Sequence, residues 1–105
     1  MSTSVNKYDT IEKLIYEEGI RISAVDFHPD LDVMLIILNT KAVLRQPISA
    51  YAGLKNADKN LLTQYQLTGN GTGIHWSALN EDLSLKGFLR DELKKVVNNK
   101  YIFAA

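Results

Sequence analysis

His75, Glu81 and Asp82 are the residues whose types and spacing come nearest to a chemical site in this sequence. An imidazole beside two carboxylates can act as a general base held by an orienting acid, or supply part of a metal shell. The chain has only two histidines, and a working site needs further converging groups. Each of the three also has a structural use. Asp82 can accept backbone donors in the turn before Ser84, and Glu81 is well placed near the start of a helix. The expectation is that the three brace the fold, with a small-molecule or metal site as the alternative. No residue is assigned a catalytic role, and no metal or other cofactor is expected.

His28, with Asp26 and Asp30, is a weaker cluster of the same kind. Asp26 and His28 would share one face of an ending strand, and Asp30 would brace the turn that follows. Thr68-Gly69-Asn70-Gly71-Thr72-Gly73 invites comparison with a phosphate-binding loop. Such a loop needs Lys followed by Ser or Thr after its last glycine, and then a helix. Here Ile74-His75-Trp76 follows, which is strand-like, so the glycines read as the turn of a hairpin. No serine stands in a nucleophile-elbow pattern. Trp76, the one tryptophan, reads as a core anchor.

The sequence has no cysteine, which excludes disulfides, thiolate metal sites and a cysteine nucleophile, and fits a reducing compartment. Its 12 basic and 12 acidic residues cancel. Nucleic-acid binding rests largely on phosphate neutralisation, so no such partner is expected. Lys86, Arg90, Lys94 and Lys95 are interleaved with Asp91 and Glu92, as on a solvated helix face. Residues 1–7 lack the charged start and apolar stretch of a secretory signal. The longest apolar run, Val33 to Leu38, is far short of the roughly twenty residues that cross a bilayer. A cytoplasmic location away from membranes is the expectation.

The elements that must position these residues follow from periodicity. Asp9 and Glu12 have capping-box spacing, Ile11, Leu14, Ile15 and Glu18 share a helical face, and Gly19 stands at the stop. Ile20, Ile22 and Ala24 alternate before the apolar phase slips to Val25 and Phe27, which predicts a strand with a bulge near Ala24. Val33 to Leu38, uninterrupted and β-branched, predicts a central strand covered on both faces. Lys41 to Gln46 predicts a third strand, ended by Pro47. Asn56 is the expected cap of a short helix running to about Tyr65. Ser84 is the expected cap of a last helix, with Leu85, Phe88, Leu89, Leu93, Val96 and Val97 at helical spacing. The reading is a single α+β domain over residues 1–105. A small, mostly antiparallel sheet is flanked by an N-terminal helix, a short middle helix and a C-terminal amphipathic helix.

Large apolar groups at 101–105 must be buried somewhere or they favour association. The expected contact residues are therefore Leu89, Leu93, Val96, Tyr101, Ile102 and Phe103. The helix at 10–18 is a further contact element.

Gln46-Pro47-Ile48, Tyr51, Leu54, Asn56-Ala57, Gly69-Asn70-Gly71-Thr72-Gly73-Ile74-His75-Trp76 and Leu79 through Leu89 together resemble the bacterial domain of unknown function 2442 family (DUF2442). The resemblance covers about residues 20–90, and the Gly-Ile-His-Trp and Glu-Asp-Leu-Ser segments carry it. Ser77 replaces the family's usual proline, Asn80 replaces the first of three acids, and Ala52-Gly53 stands where many relatives carry Pro-Arg. The resemblance implies an α+β fold, a bacterial or phage origin and no established activity. Some relatives carry a following helix-turn-helix, and others resemble the small partner of a toxin–antitoxin-like pair. The expected role is a non-catalytic interaction or regulatory module with a protein partner, either itself as a homodimer or another chain.

Overall fold

The computed structural model describes residues 8–104, and their side chains as far as residue 98. Helix α1 (Thr10–Tyr16) begins at the expected capping box. Glu12 N donates to Asp9 Oδ1 at 2.8 Å and Asp9 N to Glu12 Oε1 at 3.0 Å, which satisfies two of the helix's free amides. Ile11 and Ile15 face the core while Leu14 is exposed, so the apolar stripe is narrower than its spacing suggested. Beyond the helix, Gly19 turns the chain at φ +79°.

Strands β1 (Ile22–His28), β2 (Val33–Leu38) and β3 (Val43–Gln46) form an antiparallel sheet in that order. The register shifts between Ile22 and Ala24, at the bulge expected from the phase slip. Asp32, at φ 53°, turns the chain into β2. Its carboxylate accepts from Ser49 N at 2.8 Å and Ser49 Oγ at 2.6 Å, and these bonds hold its pKa below the ordinary aspartate value. Asp32 therefore braces this turn, a role the sequence suggested for Asp30.

β2 is central in its sheet, as expected, but it is not covered on both faces. Met34, Ile36 and Leu38 are buried, whereas Val33, Leu35 and Ile37 on the other face are only partly so. The uninterrupted apolar run hid this difference because both faces carry the same residue types.

One-turn helix α2 (Lys59–Leu62) starts after Asp58, two residues later than the expected Asn56 cap, and ends before Tyr65. Tyr65 is held elsewhere, its hydroxyl accepting Val25 N at 3.0 Å. A second antiparallel sheet follows, with strands β4 (Gln66–Thr68), β5 (Gly73–Trp76) and β6 (Glu81–Ser84) in that order. The sequence signalled the glycine hairpin and placed a strand at β5, but it gave no bounds for β4 and no sign of β6. β4 has no buried residue and so no alternation, and β6 follows a tight turn at Asn80 (φ 50°) where an approach to a helix was expected.

Helix α3 (Leu85–Ala104) closes the chain, and Gly87 N donates to Ser84 Oγ at 3.0 Å as the expected cap. The fold is thus α+β, with two small antiparallel sheets where one was expected.

The inner faces of the two sheets share a core centred on Trp76, with Phe27 and Tyr65 packed edge-on or tilted around it. Trp76 Nε1 donates to Leu62 O at 2.8 Å, so the buried indole keeps a partner and anchors α2. The glycine loop joins the sheets, Ile22 N donating to Gly71 O at 2.8 Å. Gly71 has φ +94°, and a Cβ there would lie 2.9 Å from Ile22 O. The glycine cluster thus serves a hairpin and a close backbone contact.

Candidate functional site

The pairing of β5 with β6 decides what His75, Glu81 and Asp82 can do together. His75 lies directly opposite Asp82, and Trp76 opposite Glu81. Side chains alternate between the faces of a sheet, so His75 and Asp82 share the outer face while Glu81 belongs to the inner one. His75 Nδ1 lies 2.7 Å from Asp82 Oδ1, with the aspartate side chain 75% exposed. Glu81 Oε1 accepts Gly53 N at 3.0 Å, and a Cβ at Gly53 would lie 2.2 Å from that oxygen. The three expected residues are thus one exposed pair and one separate carboxylate committed to a loop amide.

His28 Nε2 pairs with Asp26 Oδ2 at 2.8 Å on the exposed face of the first sheet. Among the described residues, no group of three or more His, Cys, Asp or Glu is placed to hold a metal ion.

Two open clefts flank α3. The larger, about 390 Å³, is lined by Asp32, Val33, Arg45, Pro47 and Lys95. Asp32 is engaged by Ser49, and Lys95 by Glu92 and a backbone carbonyl, so of its charged side chains two are committed and Arg45 is not, among the described residues. The smaller, about 170 Å³, lies beside Tyr51, Asp82, Ser84, Phe88 and Asp91.

The strongest asymmetry in the molecule is on α3. Leu85 and Phe88 are buried and Leu89 is partly so, packed on the core. In the next two turns the helix meets β3 through polar groups. Tyr51 Oη donates to Gln46 Oε1 at 2.6 Å, Gln46 Nε2 donates to Glu92 Oε2 at 3.2 Å, and Lys95 Nζ reaches Glu92 Oε2 at 2.8 Å. Lys95 also donates to Arg45 O. Gln46 is the one buried polar residue among those described, and both ends of its amide are satisfied. Burial, followed by the nearby Asp91 and Glu92 carboxylates, pushes the Tyr51 phenol up to about 12.

This network turns Phe88, Glu92 and Lys95 toward the body of the protein. Leu93 is left 53% exposed, Val96 66% and Val97 57%. Of the expected contact residues, Leu93 and Val96 therefore lie open and Leu89 leads into them. Tyr101, Ile102 and Phe103 lie outside the residues whose side chains are described.

Sequence reading missed Tyr51, Gln46 and Glu92 as a unit. The available signal was parity, because Gln46 stands two residues from Leu44 and so on the core side of β3. The basic residues of α3 also divide. Lys86 pairs with Asp9 at 3.3 Å and Glu12 at 3.2 Å, whereas Lys95 serves the β3 contact. Among the described residues, no helix is long and apolar enough to cross a membrane.

Residues 22–93 match the family described as "Protein of unknown function (DUF2442)". The chain belongs to that family. A protein of unknown function from Rhodospirillum rubrum has a similar structure, with a TM-score of 0.61 and 25% identity, over 70% of this chain and 88% of that one. The uncharacterized protein CV0863 from Chromobacterium violaceum shares the fold, with a TM-score of 0.63 and 21% identity, over 86% of this chain and 79% of that one. No curated protein matches the chain.

Proposed function

We propose that this DUF2442 protein is a non-catalytic interaction module that holds another protein chain on the outward face of α3. The observation that carries the reading is the exposure of the apolar residues in the later turns of that helix. Its charged Glu92–Lys95 side is spent on its own domain, while Leu93, Val96 and Val97 face solvent. An apolar helical stripe ordinarily faces a core, and one left open is suited to a partner's groove or to a partner helix. Leu89, Leu93 and Val96 fall at i, i+4 and i+7, the spacing at which a helix presents successive anchors to one surface. The partner is either a second copy or a different protein, in keeping with a regulatory role.

Leu93→Ser combined with Val96→Ser tests the reading. The variant, co-purified from the native host beside the wild type, should lose the associated chain while its melting temperature is unchanged. Retention of the same associated chain at wild-type stoichiometry would defeat the proposal.

A further inference from the structure

We propose that the outer face of the β1–β2–β3 sheet packs against the same face of a second copy of this chain, about a twofold axis running along β2. This surface is separate from the α3 stripe and does not depend on it.

Three cross-strand rows make up the face. Ala24, Ile37 and Val43 form one, Asp26, Leu35 and Arg45 the next, and His28 with Val33 the third. None of these residues is buried, and Asp26, Val43 and Arg45 are exposed. Leu31, just before β2, is 70% exposed. The buried residues of the same strands, Ile22, Val25, Phe27, Met34, Ile36, Leu38, Leu44 and Gln46, all lie on the opposite face. Six consecutive apolar residues are typical of a strand covered on both sides, and among the described residues β2 is fully buried on one side and only partly on the other.

Charge selects the occupant and its orientation. The middle row runs from an acid, Asp26, through Leu35 to a base, Arg45. Asp26 meets His28 Nε2 through Oδ2 at 2.8 Å, so its Oδ1 is the oxygen turned to a partner, and among the described residues Arg45 has no ion-pair partner. A twofold axis parallel to β2, midway between the two sheets and above Leu35, sets each Leu35 on its counterpart and each Asp26 against the other copy's Arg45. A twofold axis across the strands would stack Asp26 on Asp26 and Arg45 on Arg45, which like-charge repulsion opposes. Sheets packed face to face lie about 10 Å apart, a gap that an extended arginine and an aspartate bridge together. A single surface that is its own complement is the requirement for an isologous dimer. Three strands of about six residues span roughly 14 by 20 Å, so the dimer should be weak and concentration-dependent.

The test is sedimentation velocity on the full chain, from about 1 μM to about 500 μM, a range that brackets the affinity expected of so small an interface. Wild type should shift from monomer toward dimer. Asp26→Arg alone brings two arginines together and Arg45→Asp alone brings two aspartates together, so each variant should stay monomeric. An equimolar mixture of the two should dimerise again, because each interface then holds two opposite-charge pairs. Both positions are exposed, and circular dichroism checks that each variant folds. Should either be unfolded, Asp26→Ser and Arg45→Gln replace them and should each weaken dimerisation. Leu93→Ser with Val96→Ser should leave this equilibrium unchanged. A wild type that remains monomeric overturns the proposal, as do charge variants that dimerise like wild type or a mixture that stays monomeric. Loss of the dimer in the α3 variant alone would move the contact to α3 and likewise overturn it.

Discussion

Gln46 on β3 donates its side-chain amide to the Glu92 carboxylate on α3 at 3.2 Å, and this contact ties the helix to the edge of the first sheet. The donor is buried and its carbonyl already accepts the Tyr51 hydroxyl, so the amide has no second rotamer that keeps both bonds. Glu92 in turn gathers Lys95, so β3 meets a polar ridge of the helix. Removing Glu92 leaves a buried donor without an acceptor and releases the lysine. Glu92→Ala should therefore destabilise the domain by about 1–3 kcal/mol in urea unfolding. A Gln46→Leu, Glu92→Leu double-mutant cycle should give a coupling of at least about 0.5 kcal/mol. Additive effects would show that the contact does not matter.

Tyr51 provides a pH signature of the same network. Its phenol is pushed from the ordinary value of 10 up to about 12 by burial and by Asp91 and Glu92. Between those values the unfolded chain has released the Tyr51 proton and the folded chain still holds it. The unfolded state then binds fewer protons, so stability falls as pH rises through this window. Absorbance titration should show a tyrosine ionising near pH 12. Tyr51→Phe should remove that step and reduce the alkaline loss of stability. A titration unchanged by the substitution would contradict the assignment.

Two glycines separate conformational strain from steric contact. Gly19 and Gly71 both have positive φ, but a Cβ at Gly19 would meet nothing within 4 Å. A Cβ at Gly71 would lie 2.9 Å from Ile22 O and 3.0 Å from Arg21 Cβ. Gly19→Ala should cost about 1 kcal/mol, from backbone conformation alone. Gly71→Ala should cost about 2 kcal/mol more, because the junction between the sheets must also open. Equal losses in thermal unfolding would show that the loop yields freely.

The division of His75, Asp82 and Glu81 makes their substitutions unequal. His75→Ala and Asp82→Ala remove an exposed pair, and each should change stability by less than about 0.5 kcal/mol. Glu81→Ala leaves the Gly53 amide without its acceptor and should cost about 1–2 kcal/mol. Isothermal titration with zinc should give no heat that depends jointly on the three residues. A stoichiometric zinc site lost in all three variants would restore the ligand-binding alternative.

Much of the fold could be read from local signals. The capping box at Asp9, the phase slip at Ala24, the glycine hairpin and the Ser84 cap are each set by a few neighbouring residues, and each stands where it was expected. What escaped depended on pairing across the chain. β4 carries no alternation of its own and exists because β5 pairs with it. β6 read as a helix approach, since Glu81 and Asp82 suit either setting until the register sends them to opposite faces. The open side of β2 was illegible for a similar reason, because leucine and isoleucine look alike whether or not anything covers them. On α3 the periodicity identified Leu93 and Val96 as apolar, but only their exposure in the fold shows that the core does not take them up.

The most direct test is photo-crosslinking in the native host, with a photoreactive amino acid placed at Val96 in one variant and at Arg90 in another. Both positions are exposed, and only Val96 lies on the apolar stripe. Val96 should yield one discrete crosslinked protein, the same chain or another, that Arg90 does not yield. No discrete product at Val96, or the same products in equal amounts from both positions, would contradict the proposal that α3 holds a partner.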